Sequence, residues 1–169
     1  MANTKPVSAK RLIYLYRIAS KAATNGGVAL GFVTENERKM SKDADTTTTK
    51  DGPIRTPGSP ETEITSTSIL PKGDTMIDDL KASMKNDDLV ECWEVNLDEP
   101  ADGADGKFKG TYYQGYITEL TCKSSADDMV TIDMTYGANG VGVDGNVTVT
   151  AEQQAAADYA FADAVKTGA

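Results

Sequence analysis

The sequence predicts a mainly β fold, a β-sandwich or partial barrel, with one or two short helices. Apolar and polar residues alternate with period two in about seven segments, as in half-buried strands, and helical spacing occurs in only two short ones. Leu, Ile, Val and Phe account for only 30 of the 169 residues. A chain of this length is most simply one domain, residues 1–169, whose thin core is completed by assembly with other copies.

Two neighbouring strands are predicted near the start of the chain. Residues 11–19 alternate in polarity and place Tyr14 and Tyr16 on one face. A turn signal at 25–27 leads into a second segment, residues 28–35. The two segments are therefore expected to pair as neighbours.

A polar stretch, KDADTTTTKDGPIRTPGS at residues 42–59, then interrupts the pattern. Its four threonines favour extended backbone, Lys50 to Pro53 form a turn signal, and almost nothing in it can be buried. The sequence predicts a long flexible loop at about 38–62, because no apolar contact offsets the entropy of ordering it. Residues 61–70 resume as an extended segment whose serines and threonines suit an edge or a solvated face.

A helix is predicted at residues 75–85, where Asp74 or Thr75 can cap its first turn. A strand at 88–98 follows, and residues 98–110 are expected to form a long hairpin loop. The buried stripe of the helix is expected to consist of Ile77, Leu80 and Met84.

The last third of the chain predicts three strands and a helix. Residues 111–122 are apolar on both faces, as in a central strand between a core and a subunit interface, and residues 129–136 and 146–150 alternate. Thr150 and Gln153 have capping-box spacing before a terminal helix. The apolar residues of that helix are Ala155, Tyr159, Phe161, Ala162 and Val165.

Charge limits the partners that this chain can bind. The net charge is −9, which disfavours nucleic acid and anionic membranes as tight partners. Residues 1–34 carry bases and no acid, whereas residues 86–169 are strongly acidic. This asymmetry suits copies that stack basic end on acidic face, and it equally suits ordinary solvated surface charge.

No membrane or secretory segment is expected. The apolar run at 12–16 ends at Arg17 and is too short for either role. The protein is therefore expected to be soluble and to be made in the cytoplasm.

The sequence offers little for catalysis. It contains no histidine, which removes the commonest general base and most zinc and copper sites. Glu91, Glu94 and Glu119 lie in predicted strands, so a carboxylate pair remains an alternative, but no spacing singles one out. Cys92 and Cys122 are interpreted as two buried thiols. No enzymatic activity and no cofactor is expected.

Two motifs invite a ligand, and each has a simpler interpretation. Gly140, Gly142 and Gly145 fit the dinucleotide pattern G-x-G-x-x-G, but they precede a predicted strand instead of opening a helix, which favours a hairpin turn. The second motif is an acidic loop that departs from the EF-hand spacing, so a solvated turn is favoured over calcium. Its acids are Asp98, Glu99, Asp102 and Asp105.

Trp93 is the only tryptophan of the chain. It could stack on a sugar, as in a carbohydrate-binding module, but it lies on the apolar face of its predicted strand. Core packing is therefore the favoured interpretation.

Taken together, four segments resemble the major tail protein of long, non-contractile-tailed phages, and most closely that of lactococcal phages. They are the basic N-terminal strand, the stretch TTTTKDGPIRTPGS, the helix TMIDDLKASMK and the terminal VTVTAEQQAAADYAFADAVK. The resemblance covers nearly the whole chain and depends on the order of the segments, since no single motif is diagnostic.

The resemblance implies a tail-tube-like fold and a structural virion protein. Subunits of that family form hexameric rings that stack into a hollow tube, and DNA is ejected through it without specific binding. The implied partners are other copies of the chain, the tape measure protein, the tail terminator and the baseplate or distal tail proteins. The implied location is the virion tail, after assembly in the host cytoplasm.

The tube interpretation gives the polar loop a role as an arm that orders against a neighbouring subunit or ring by strand addition. Strand acids are expected to face the lumen. The alternatives are a type VI secretion tube subunit and a carbohydrate- or receptor-binding β-sandwich module. The candidate assembly residues are Thr46, Thr47, Thr48, Thr49, Lys50, Asp51, Gly52, Pro53, Ile54, Arg55, Thr56, Pro57 and Gly58.

Overall fold

The structure, a computed structural model, describes residues 5–103 and 106–158. These residues form a mostly antiparallel β fold with two short α-helices, so the predicted fold class is confirmed. The strands are β1 Leu12–Ile18, β2 Val33–Thr49, β3 Gly52–Ile69, β4 Val90–Pro100, β5 Lys107–Lys123, β6 Thr131–Ala138 and β7 Val143–Thr148, and the helices are α1 Thr75–Asn86 and α2 Ala151–Asp158.

All seven strands join one antiparallel sheet, in which six follow the order β1-β4-β5-β6-β3-β2 and β7 pairs with β5. The long strand β5 is at its centre, as predicted for residues 111–122. Along one edge β5 pairs with β4, and along the other it pairs first with β7 and then with β6. Strands β1 and β2 lie at the two ends of this order.

The sheet curls until its two halves face each other. The Tyr16 hydroxyl of β1 lies 3.1 Å from the Ser66 hydroxyl of β3, and the Tyr136 hydroxyl of β6 donates to the Val90 carbonyl of β4 at 2.7 Å. These bonds join strands that are not neighbours in the sheet. The main core fills the space between the two halves. The curled sheet around it is the partial barrel that the sequence predicts. The most buried side chains of the main core include Tyr16, Ile64, Leu80, Val90, Cys92, Tyr113, Met134 and Tyr136.

A second, smaller core covers the opposite face of β1 and β4. It explains why β1 alternates between two buried faces, with Tyr14 and Tyr16 in the main core and Leu15 in the second. Strand β4 does the same with Cys92 and Val95. The members of the second core are Leu15, Val95, Leu97, Phe108 and Val149.

Helix α1 packs against the main core and largely follows its prediction. The Asp74 carboxylate accepts a hydrogen bond from the Met76 amide at 2.8 Å, which identifies Asp74 as the N-cap. Ile77 and Leu80 are buried as predicted. Met84 is 39% exposed, so its assignment to the buried stripe was wrong, and Ser83 is buried instead. The Ser83 hydroxyl donates a hydrogen bond to the Leu80 carbonyl, so this small polar residue is buried with its hydroxyl group satisfied.

The predicted strand at residues 28–35 was wrong. Only Val28 pairs with Tyr16, through two backbone hydrogen bonds of 2.9 Å, and the next strand begins at Val33. The extended partner of β1 is β4. The segment after Val28 leaves β1 after this one bridge, whereas β4 pairs with β1 from Leu12 to Ile18.

Gly115 marks the most crowded point of the sheet. It is in register with Val90 on one side and with Ala138 on the other, where β4 and β6 converge on β5. A Cβ atom at this position would lie 2.0 Å from the Gly137 carbonyl oxygen. Only glycine lets the three backbones approach this closely.

The terminal helix begins with the predicted capping box. The Gln153 amide donates to the Thr150 hydroxyl at 3.2 Å, and the Thr150 amide donates to the Gln153 side chain at 3.1 Å. The predicted apolar residues from Tyr159 onward lie outside the described residues. Neither helix in the described part of the chain is long and apolar enough to cross a membrane.

Candidate assembly surfaces

The stretch predicted as a loop at 38–62 is a β-hairpin. Strands β2 and β3 stay paired from Lys42 opposite Pro60 to Thr49 opposite Gly52, and only Lys50 and Asp51 remain unpaired at the tip. The prediction of an irregular loop was therefore wrong. We call residues 42–60 the arm. All thirteen candidate assembly residues from Thr46 to Gly58 lie in it.

Hydrogen bonds of the Thr49 side chain close the tip of the arm, at the turn that the sequence predicts. The Thr49 hydroxyl donates to the Gly52 carbonyl at 2.6 Å and accepts from the Asp51 amide at 3.3 Å. Gly52 has a φ of 119°, a conformation that side chains disfavour. The predicted turn is thus present, and the flanking threonines continue as strands because β-branched residues suit a pleated backbone.

Among the residues that the structure describes, none outside the hairpin supports the arm. The last pair that joins β3 to β6 is Thr62 with Ala138, and beyond it β3 pairs with β2 alone. Every arm residue is exposed except Gly52 and Pro60, which are half-buried, and Ile54 is 55% exposed. An isolated two-stranded hairpin is marginally stable in water. The arm therefore has its hairpin shape before any assembly, but it has no core of its own.

The two edges of the arm differ in their capacity to pair. Pro53, Pro57 and Pro60 interrupt β3 within the arm, and proline has no N–H to donate to another strand. Strand β2 carries no proline between Val33 and Thr49. It lies at the end of the strand order, so its far edge is open to strand addition.

A second surface is the outward face of β2, β3, β6 and the end of β5, which we call the acidic outer face. Its residues alternate with core residues such as Ile64 and Met134, and the register places Glu37 beside Thr65 and Glu63 beside Lys39. Acids outnumber bases on it. Its charged members are Glu35, Glu37, Glu61, Glu63, Glu119 and Asp133, against Lys39 and Lys123.

Asp133 is the best-bonded acid of this face. Its carboxylate lies 2.9 Å from the Lys123 ammonium and accepts a hydrogen bond from the Thr67 hydroxyl at 2.8 Å. The bonds from Lys123 and Thr67 hold the pKa of Asp133 below its ordinary value. The carboxylate therefore stays charged at any pH near neutrality.

The carboxylates considered for catalysis are not brought together. Glu91 and Glu94 point to opposite faces of β4. Glu91 accepts hydrogen bonds of 2.6 Å from Arg17 and from the Tyr112 hydroxyl. Glu94 accepts from the Tyr14 hydroxyl at 2.6 Å and lies 3.2 Å from an Arg38 nitrogen. Glu119 lies on the acidic outer face.

Burial and bonding act in opposite directions on these groups. Burial raises the pKa of Glu91, but the hydrogen bonds from Arg17 and Tyr112 outweigh it, so the net pKa lies below the ordinary value. Burial, followed by the hydrogen bond to Glu94, raises the pKa of the Tyr14 hydroxyl. Both pairs hold strands together, and neither leaves a carboxylate poised to exchange a proton with a substrate.

The acidic loop gathers no cation site in the residues that the structure describes. Asp98 pairs with Arg11 at 2.5 Å, Glu99 lies 3.9 Å from the Lys109 ammonium, and Asp105 lies outside the described residues. Within residues 5–103 and 106–158, no three or more metal-ligating side chains cluster. Residues 98–100 belong to β4 rather than to the predicted loop, which is shorter than expected.

The remaining sequence candidates have structural roles. Gly140 and Gly142 both have a φ of 78° and form a turn that leads into the strand β7, so they do not open a helix. The hairpin interpretation was wrong, because β7 pairs with β5 and not with β6. Trp93 is half-buried, with the Arg17 guanidinium 4.9 Å from its ring centre. Cys92 is buried as predicted. Cys122 is exposed, so its prediction was wrong, because β5 runs beyond the core at that point.

Comparison with known proteins places these surfaces in context. A family model described as phage tail tube protein matches residues 6–149. A protein of Staphylococcus phage phiMR25, named as a tail protein, is 30% identical over 173 residues, covering 100% of this chain and 88% of that protein.

Solved structures show the same fold at low identity. The SPP1 tail tube, determined by solid-state NMR and cryo-EM, superposes with a TM-score of 0.73 at 15% identity, covering 85% of this chain and 81% of that chain. A chain from the virion of a native gene transfer agent particle gives a TM-score of 0.63 at 10% identity, with 83% and 99% covered.

Proposed function

The chain belongs to the phage tail tube protein family and is a structural protein of the virion tail, and from that premise we propose how its copies assemble. Six copies join edge to edge into a ring, rings stack into a hollow tube, and the arm links one ring to the next. The observation that carries this proposal is the arm itself, a preformed hairpin that packs on no other described part of its own subunit.

Ring formation uses the two ends of the strand order. The outer edge of β2 is open, and the outer edge of β1 is open except at the bridge between Tyr16 and Val28. The two edges differ in sequence and lie at opposite ends of the strand order, so pairing one with the other is heterologous and closes into a ring when the rotation permits. The thin core supports this arrangement, since pairing between copies adds the burial that a single copy lacks.

The arm adds contacts along the tube axis. Its open β2 edge pairs with a neighbouring strand, while the three prolines of β3 keep the other edge from aggregating. The entropy of ordering the arm is then offset by hydrogen bonds that form only on assembly.

Electron microscopy of the purified protein at increasing concentration tests the tube. Rings and tubes are expected, and a protein that stays monomeric at all concentrations would contradict the proposal. Deleting residues 46–58, with the hairpin closed by Asn-Gly, should leave the thermal unfolding of the subunit unchanged and abolish tubes. Tubes formed by the deletion variant would refute the role of the arm while leaving the tube itself intact.

We further propose that the acidic outer face lines the lumen. Like charge denies the DNA phosphates a site at which counterions are released, so the genome slides without sticking. In a phage carrying this chain, Glu35→Lys with Glu37→Lys should lower genome delivery about tenfold while tubes still form. A control pair, Glu99→Lys with Asp102→Lys, changes the net charge equally at another site. Equal delivery by both pairs would reject the lumen assignment.

The remaining partners follow from the same role. We infer that the tube ends bind a terminator and a baseplate or distal tail protein, and that a tape measure protein fills the lumen before DNA does. Enzymatic activity is not part of the proposal, since the paired side chains of Glu91 and Glu94 are committed to Arg17, Tyr112, Tyr14 and Arg38.

A further inference from the structure

At the end of the sheet opposite the arm lies an exposed apolar rim that the fold of one subunit does not explain. We define the rim as Phe32, Val33, Leu70 and Met129. Backbone hydrogen bonds hold its parts together, from the Ile69 amide to the Phe32 carbonyl at 3.1 Å and from the Leu70 amide to the Val130 carbonyl at 2.9 Å. All four rim side chains are exposed.

Phe32 is the most unusual member of the rim. Its φ of 47° lies in the left-handed region, which bulky residues rarely adopt, and its side chain is 69% exposed. The backbone at Phe32 is thus strained, and the aromatic ring attached to it is exposed to solvent. Strain of this kind concentrates at functional positions.

A groove of about 590 Å³ adjoins the rim at the turn between β5 and β6. Met129 belongs to both the rim and the groove. Asp127 and Asp128 make this turn acidic, and both are exposed. The groove is lined by Cys122, Lys123, Ser124, Ser125, Asp128, Met129 and Thr131.

The tip of the arm complements this site. Ile54 is the only large aliphatic residue in the arm, and its side chain is 55% exposed. An exposed apolar side chain at the tip matches the exposed apolar side chains of the rim.

Strand direction prevents the tip from reaching the rim of its own subunit. Strand β3 runs from Gly52 at the tip to Ile69 at the rim, a length of roughly 56 Å at 3.3 Å per residue. Copies stacked head to tail place the tip of one against the rim of the next. We propose that the arm tip of one copy docks into the groove and rim of a copy in the adjoining ring, with Ile54 against Phe32 and Met129.

This inference rests on the proposed stacking of rings and can fail separately from it. Ile54→Cys places a thiol at the tip, and the native Cys122 supplies the partner in the groove, while Cys92 is buried and unreactive. A short bismaleimide added to assembled tubes should join subunits covalently through Cys122. Thr49→Cys, also at the tip, serves where Ile54→Cys does not assemble.

The control is Met84→Cys, which is exposed on α1, outside both the arm and the rim. Cross-linking through Ile54→Cys or Thr49→Cys should exceed this control about tenfold. Tubes that form with a tip cysteine but cross-link no more than the control would overturn the docking site. Absence of tubes from the unmodified chain would instead overturn the proposed function.

A second experiment tests Phe32 without weakening the fold. Phe32→Gly removes the ring and suits the positive φ, so thermal stability should be kept or raised, while the concentration needed for tubes rises about tenfold. Asp87→Gly is the control, since Asp87 has a φ of 57° at the end of α1, away from the rim. Unchanged tube formation by Phe32→Gly would remove Phe32 from the interface.

Discussion

Strand β3 crosses two regions that share a backbone conformation and differ in everything else. Within the body of the subunit its residues alternate, with Ile64 and Ser66 buried against the main core. Within the arm, residues 52–60 pair with β2 on either side of one bulge, but none is buried. The comparison shows that a regular hydrogen-bonded ladder does not require a core. In the body the core holds the ladder, and in the arm that support must come from another copy.

Body and arm are expected to differ most in the loss of unfolding free energy when an apolar side chain is truncated. Leu80→Ala removes a fully buried side chain from α1 and should lower the free energy of unfolding by about 2–5 kcal/mol. Ile54→Ala in the arm should change it by less than about 0.5 kcal/mol and should affect assembly instead. Urea unfolding of both variants measures the contrast. Equal destabilisation by the two would mean that the arm packs on its own subunit.

An intermediate effect is expected where charge holds two body strands together. Glu91→Gln weakens the bonds to Arg17 and Tyr112 and should cost about 2 kcal/mol at pH 7. Because the pKa of Glu91 in the folded state lies below the ordinary 4.5, its contribution is present above pH 4.5 and is lost as the pH falls through the folded value. The difference in the free energy of unfolding between Glu91→Gln and the unmodified chain should therefore be large at pH 7 and small near pH 2. A gap independent of pH would contradict this account.

The smallest effect on the whole subunit is expected at the arm tip. Thr49→Val keeps the β-branched shape but removes the hydroxyl that bonds Gly52 and Asp51. Global stability should stay within about 0.5 kcal/mol, while amide hydrogen exchange quickens in residues 46–56 only. A drop in the global unfolding temperature would show that arm and body unfold as one unit.

The sequence predicted the body well because burial leaves a periodic pattern. Strand β6 alternates Ile132, Met134 and Tyr136 inward, as expected from its period of two. The caps at Asp74 and Gln153 were also predicted, since a cap depends on residues only two or three apart.

The arm was missed because its strands bury nothing and so leave no period to detect. Three prolines and two glycines made the stretch look irregular, whereas the pairing across the tip is what orders it. The rim was missed for a different reason. Phe32, Leu70 and Met129 are far apart in sequence and meet only because three strands end together. The one sequence signal for a contact with the rim was Ile54, a single large apolar residue within the polar arm.

Gly115 has a consequence for how this chain can vary. Every amino-acid replacement at Gly115 puts a Cβ atom in place of one Cα hydrogen, and that atom would lie 2.0 Å from the Gly137 carbonyl oxygen. Three strands would have to separate to make room. The position is therefore expected to accept no residue other than glycine.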